Sequence, residues 1–157
     1  MPVSIPTMPS PTEADLLVLA DRIRSLLPAS YLDFVKLHDG AEPDGNSIKI
    51  SVNEVGVSRF IPVREAPARS AEIEGFPQNA IPLAEDDCGN YFYIDPSNSA
   101  VYYWDHELEG ADERVAEDVT AFVEKLSPFD ASSVTLAPGQ VKHVWIDPSF
   151  KPEFNDR

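Results

Sequence analysis

The side chains best suited to chemistry lie in one stretch, EDDCGNYFYIDPSNSAVYYWDHE, which runs from residue 85 to residue 107. It contains the only cysteine of the chain, Cys88, and one of the three histidines, His106, among several carboxylates. A thiol, an imidazole and carboxylates are the groups that nucleophilic catalysis or metal binding would need. The first question is whether the chain brings these groups together.

The neighbours of Cys88 argue against a catalytic thiol. A nucleophilic cysteine needs a base within reach and surroundings that favour the thiolate. Cys88 follows Asp86 and Asp87, whose negative charges disfavour a thiolate, and no helix begins after it to compensate. We therefore expect Cys88 to be a small buried hydrophobic residue in the turn that enters a strand. An enzymatic function that uses this thiol or the acidic cluster is therefore less favoured than a protein-binding function.

Metal and cofactor sites also lack support. Asp105, His106 and Glu107 are consecutive, so in an extended strand His106 points away from its two neighbours. The aspartates of the same stretch fit no EF-hand spacing, and HExxH, GxGxxG, GxxxxGK[ST] and GxSxG are all absent from the sequence. We predict no catalytic residue, no metal ion and no cofactor, which makes an enzyme the less favoured class.

The charge of the chain points to a cationic partner. Among 157 residues, 27 are acidic and 12 are basic, which gives a formal net charge of -15. The basic residues form no run, so binding to nucleic acid is not expected. An acidic surface attracts a positively charged protein and speeds its encounter, although acidity also serves solubility alone.

Composition predicts a cytoplasmic domain of ordinary size. The chain is 43% hydrophobic and long enough for one domain with its own core. Its apolar runs are shorter than the roughly 20 residues of a membrane span. The first residues do not resemble a secretory signal, and a lone cysteine fits a reducing compartment. We expect no membrane partner and either a monomer or a homodimer.

Helices are predicted before and after the central part of the chain. Thr12 is suited to an N-cap, and apolar residues at helical spacing predict a helix over 13–26. Pro28 favours the start of a second helix that ends at Gly40. A similar apolar stripe predicts a helix within 110–127.

Between them the pattern becomes that of strands. Residues 64–79 are polar and interrupted by proline and glycine, so a loop with at most one helical turn is expected. Strands are predicted over 47–52, 56–63, 80–86, 90–95 and 100–105. The order of elements predicts an α+β fold with a central, mostly antiparallel sheet flanked by helices.

Three regions follow from this pattern. Residues 1–11 contain four prolines and are expected to form a flexible arm. Residues 12–126 form the single domain. Residues 127–157 are rich in proline yet contain several aromatic residues, so we expect this C-terminal extension to pack on the domain, with docking on a partner as the alternative.

The strands at 90–95 and 100–105 have bulky residues on both faces. Alternation places Tyr91 and Tyr93 on one face and Phe92 on the other, and it separates Trp104 from Tyr103 in the same way. Such strands belong in the middle of a sheet. We expect one face to be covered by helices, and the aromatic face to be partly exposed as an interaction surface.

Three segments resemble the SUKH superfamily, of the Smi–Knr cell-wall-regulator type. They are LPASYLDFVKLHDGAEP, NAIPLAEDDCGNYFYID and AVYYWDHE, and the resemblance as a whole covers about residues 12–126. The residues that carry the resemblance are Leu27, Pro28, Tyr31, Phe34, Gly40, Gly89, Asn90, Trp104 and His106.

The resemblance implies a SUKH-like α+β domain without enzymatic activity. Bacterial members are commonly immunity proteins that neutralise toxins, often nucleases, by binding them, and fungal members are regulatory adapters. Combined with the charge, it favours an immunity protein for a cationic toxin, with an intracellular regulatory or scaffold protein as the alternative. The expected partner-binding residues lie at the rims of the strand pair: Glu85, Asp86, Asp87, Trp104, Asp105 and Glu107.

Overall fold

The computed structural model describes residues 3–51, 53–108, 110, 112–128 and 148–149. These residues contain helices α1 Glu13–Ile23, α2 Ala29–His38, α3 Ala66–Glu72 and α4 Val119–Glu124. The strands are β1 Ser47–Lys49, β2 Glu54–Gly56, β3 Arg59–Phe60, β4 Ile81–Glu85, β5 Tyr91–Ile94, β6 Val101–Trp104 and β7 Glu113–Ala116. No helix among the described residues is both long and apolar enough to cross a lipid bilayer.

The main sheet has five strands in the order β3-β4-β5-β6-β7, and each neighbouring pair is antiparallel. Strands β1 and β2 form a separate antiparallel pair. Every strand of the main sheet therefore lies beside the next strand in the chain, as short connections favour. The predicted α+β class with an antiparallel sheet is confirmed.

Local sequence signals explain the first two helices. The Thr12 side chain accepts a hydrogen bond from the backbone N–H of Asp15 at 3.1 Å, as an N-cap residue does. Helix α1 ends three residues before the predicted limit, because Arg24 adopts a left-handed conformation with φ of 55°. Gly40, with φ of 73°, follows α2, and a Cβ there would lie 2.9 Å from Cγ of Pro62. Glycine is required at this close approach.

The helix predicted over 110–127 is wrong in its first half. Residues 113–116 form β7, which pairs with β6, and only Val119–Glu124 is helical. Asp118 caps this helix by accepting a hydrogen bond from Ala121 N at 2.8 Å. The apolar stripe misled the prediction because Val115 of the strand and Val119 of the helix are both buried in the same core.

Two further boundaries differ from the expectation. Residues 66–72 form α3, about two turns of helix, where at most one turn was predicted. The strands predicted over 47–52 and 56–63 are replaced by the three short strands β1, β2 and β3. Short paired segments depend on their partners as much as on their own alternation, which is why their limits were misplaced.

The core lies between one face of the main sheet and the helices. Its aromatic centre is Phe122 of α4, whose ring centroid lies 5.0 Å from that of Phe92 and 6.2 Å from that of Phe60. All three side chains are fully buried. One face of β5 and β6 was predicted to be covered by helices, and the structure shows that it is the face with Phe92.

The two ends of the chain are only partly described. Residues 3–10 lie along α2, where Met8 N donates to Leu37 O at 2.7 Å and Ser10 Oγ donates to Lys36 O at 2.6 Å. At the other end, Ser127 pairs with Ser47 of β1. The flexibility predicted for residues 1–11 stays a prediction, and most of the 127–157 extension lies outside the described residues.

Phe122→Ala should lower the free energy of unfolding by about 3 to 5 kcal/mol, because it removes a ring packed on two others and leaves a cavity. The measurement is urea denaturation followed by circular dichroism. Leu26→Ala is the control, since that side chain is 89% exposed; its effect should stay within about 0.5 kcal/mol. Equal losses in the two variants would contradict the assignment of Phe122 to the core.

Candidate partner-binding site

A buried carboxylate organises the turn between β4 and β5. Asp86 is 9% exposed, and its Oδ1 accepts hydrogen bonds from the backbone N–H groups of Cys88 and Asn90, both at 2.8 Å. Its Oδ2 accepts a third hydrogen bond, from the hydroxyl of Tyr103 at 3.0 Å. Three donors satisfy a charge that burial would otherwise make costly.

Asn90 continues this network to the end of β6. Its Nδ2 donates to the hydroxyl of Tyr103 at 2.8 Å. Its Oδ1 accepts from His106 N at 3.0 Å and lies 2.6 Å from His106 Nδ1, which must donate because an amide oxygen can only accept. The Gly89-Asn90 and Trp104-x-His106 elements of the resemblance are therefore neighbours in the structure. The hydrogen bonds of Asn90 hold the two turns together.

Glu85 lies in an ion-pair network instead of facing solvent as a free charge. Its Oε1 lies 3.2 Å from Arg59 Nε, and its Oε2 lies 2.8 Å from Arg69 Nη1. Glu65 joins both guanidinium groups, at 3.0 Å and 3.7 Å. The network links β3, β4 and α3, so the charge of Glu85 is compensated within the fold.

The outer face of β5 and β6 is covered more fully than the sequence suggested. Phe76, from the loop after α3, packs edge-on against Tyr91, Tyr93 and Trp104, with ring-centroid distances of 6.1, 5.8 and 5.6 Å. Trp104 is consequently only 7% exposed, whereas Tyr91 and Tyr102 are half-buried. The sequence predicts a polar loop over residues 64–79, and nothing in that segment indicates that Phe76 packs on the sheet.

Beside Phe76 an open cleft of about 770 Å³ remains between the loop after α3 and the turns at 86–90 and 105–108. Tyr91 and Trp104 contribute to its wall, and Glu74, Asp105 and Asp112 bring carboxylates to it. Asp112 accepts a hydrogen bond from the Tyr93 hydroxyl at 2.5 Å. The cleft thus combines aromatic surface with negative charge.

The predicted partner-binding residues divide into three groups. Glu85 is ion-paired and Asp86 is buried, so both have structural roles in the fold. Trp104 and the half-buried Asp105 line the cleft. Two more residues are exposed on the adjoining turns: Asp87 and Glu107, the side chain of the latter 78% exposed. Their contact with a partner stays a prediction.

Two expectations about the turns need correction. Cys88 is exposed at the edge of the cleft, not buried, because the Asp86 side chain occupies the inside of the turn. The chain also turns at His106 and Glu107, so the strand geometry assumed for this triplet does not apply. Within the described ranges, no three His, Cys, Asp or Glu side chains are grouped so that they could hold a metal ion.

Glu74 and Asp112 are cleft residues that sequence reasoning missed. Glu74 lies in the segment predicted as a loop, and Asp112 lies in the segment wrongly predicted as the start of a helix. They reach the cleft through the packing of Phe76 and the pairing of β6 with β7. No local pattern could have placed them beside Trp104.

Three phenols are held in their protonated form. Burial, and then the adjacent Asp86 carboxylate, raise the pKa of Tyr103. Burial and the hydrogen bond to Asp112 raise the pKa of Tyr93, and complete burial raises the pKa of Tyr31.

These elements define an α+β domain with a helix-covered antiparallel sheet and an acidic, aromatic cleft on its other face. The SMI1 / KNR4 family (SUKH-1) model matches residues 10–125, which is most of the chain. The chain therefore belongs to this family, as its three matching segments suggested. A search of curated proteins found no match to it.

Asp86→Ala should lower the free energy of unfolding by about 2 to 4 kcal/mol, because two backbone N–H groups and the Tyr103 hydroxyl lose their acceptor inside the protein. Urea denaturation measures the loss. Asp87→Ala is the matched control, since Asp87 is the exposed neighbour and should change stability by less than about 0.5 kcal/mol. A small effect of Asp86→Ala would contradict the central role of this carboxylate.

Stability should fall as the solution becomes alkaline. The pKa values of Tyr31, Tyr93 and Tyr103 are higher in the folded chain than in the unfolded chain. Their stabilising contribution is therefore complete below about pH 10, the unfolded value, and is lost as the pH rises above it. Urea denaturation at several alkaline pH values should show the fall, and Tyr103→Phe should make it shallower. A variant with an unchanged slope would contradict this assignment.

Proposed function

We propose that the chain is a non-enzymatic immunity protein that neutralises a cognate cationic toxin, often a nuclease in this class, by stoichiometric binding. Membership of the SMI1 / KNR4 family (SUKH-1) supports a binding role of this kind. The formal net charge of -15 supports a positively charged partner.

The observation that carries the proposal is the acidic surface around the cleft. Asp105 and Asp112 line it, and Asp87 is exposed on the adjoining turn; none of the three pairs with a lysine or arginine among the described residues. Charges that the fold compensates, such as Glu85, contribute little to attraction at a distance. Uncompensated charges on one side of a protein create a field that steers an oppositely charged partner.

A nuclease presents a basic groove to phosphate groups, and an acidic protein can occupy the same groove. Binding there would block access of nucleic acid without any chemical step on the immunity protein. Association would be fast at low salt and slower at high salt, because salt screens exposed charges.

The test is to express the chain in a bacterial host together with any toxin-like domain encoded beside its gene, and to measure survival of the host; a gene neighbourhood without such a domain would count against the proposal. We expect survival with the cognate toxin and death with an unrelated toxin that serves as the control. The purified proteins should form a complex in equal amounts at low salt, and added salt should weaken it.

Failure of both protection and complex formation would overturn the immunity proposal. A host protein that is retained by the chain under the same conditions would instead favour the regulatory or scaffold role of the cell-wall-regulator type. That alternative predicts no protection against any toxin.

A further inference from the structure

We infer that the cleft beside Trp104 is the docking site for an arginine side chain of the bound protein. This inference rests on the proposed function, because it assigns the part of the partner that the acidic surface recognises. It commits to a guanidinium group presented on a protein surface.

The shape of the cleft suits an inserted side chain. It is open to solvent, has a volume of about 770 Å³, and includes Gly75, Gly89 and Gly110 in its lining. A Cβ on Gly75 would lie 4.0 Å from the Trp104 ring, and a Cβ on Gly110 would have no atom within 4 Å. Gly75 therefore leaves space beside the Trp104 ring, and Gly110 adds no side chain to the cleft.

The charge of the cleft lacks a counterpart in the described part of the chain. Its lining residues there include Glu74, Asp105 and Asp112 but no lysine or arginine. Asp105 accepts a hydrogen bond from Glu107 N, and Asp112 accepts one from a tyrosine hydroxyl. These neutral donors fix the orientation of the carboxylates but do not balance their charge.

The same sheet face shows how such surroundings hold a guanidinium group. Arg69 Nη1 donates to Glu85 Oε2 at 2.8 Å and to the Tyr91 hydroxyl at 3.2 Å. Tyr91 also contributes to the cleft wall. Among the described residues, the Glu85 side of Tyr91 has a cation in Arg69, whereas the cleft on its other side has no lysine or arginine.

Arginine fits this combination better than lysine. Its planar guanidinium group stacks on aromatic rings and donates several hydrogen bonds in a fixed plane, which can reach two carboxylates at once. An ammonium group is compact, more strongly hydrated and unable to stack in this way. The inference therefore predicts a preference for arginine beyond that for positive charge.

The test compares two charge-matched double variants of the full chain. Glu74→Gln with Asp105→Asn neutralises two cleft carboxylates, and asparagine can still accept the hydrogen bond from Glu107 N. Asp21→Asn with Glu42→Gln is the control, because both residues are exposed and outside the cleft lining. Each pair changes the net charge equally, and unfolding by urea checks that both variants remain folded.

Two measurements are made on each variant. The first is an NMR titration with short peptides that have arginine, lysine or neutral citrulline at the centre. The arginine peptide should shift the amide signals of Gly75, Gly89 and Gly110, lysine should bind more weakly, and citrulline should not bind. The second is the dissociation constant for the cognate toxin domain, which should rise on the order of tenfold in the cleft variant and little in the control.

The outcomes separate the two proposals. Toxin binding that is weakened equally by both variants would overturn the arginine site and leave the immunity function standing. Arginine-selective shifts at the cleft without toxin binding or protection would support the site and overturn the immunity function. Equal binding of arginine and lysine peptides would overturn the inference, as would a homodimer that dissociates only in the cleft variant, since a second copy would then occupy the cleft.

Discussion

The carboxylate of Asp86 is buried in a tight turn and forms no ion pair with the residues that the structure describes, so it is satisfied by hydrogen bonds. Two of its donors are backbone N–H groups of the turn, and the third is Tyr103 from the middle of the sheet. This requirement fixes the conformation of residues 86–90 and anchors the turn to β6. Asn90 extends the anchor to His106, so two of the turns that border the cleft are held in place through one carboxylate.

The aromatic strands impose a second requirement. Because β5 and β6 have large side chains on both faces, each face needs its own cover. Helix α4 supplies Phe122 on one side, and the loop after α3 supplies Phe76 on the other. A single loop residue cannot cover a whole sheet face, and the space that it leaves uncovered is the cleft. The cleft that we propose as the binding surface is thus the part of this face that the packing of the fold leaves uncovered.

Some of this arrangement could be read from the sequence, and the reasons are physical. The alternation in β5 and β6 and the caps at Thr12 and Gly40 are local signals, and they predicted the central strands and the first helices. The strand at 113–116 depends on pairing with β6, which no local periodicity reveals. The compensation of Glu85 depends on arginines that lie 26 and 16 residues away in the chain. Composition alone therefore could not distinguish an ion-paired carboxylate such as Glu85 from an unpaired one.

Cys88 is the only cysteine in the chain, and it lies exposed where the turn organised by Asp86 meets the cleft. Its side chain takes no part in the hydrogen bonds described for that turn, which uses its backbone N–H instead. An alkylating dye or a cross-linker that reacts with accessible thiols would therefore mark one known point of the native sequence. A fluorescent label on Cys88 would therefore report the approach of another protein to the cleft, without any substitution in the chain.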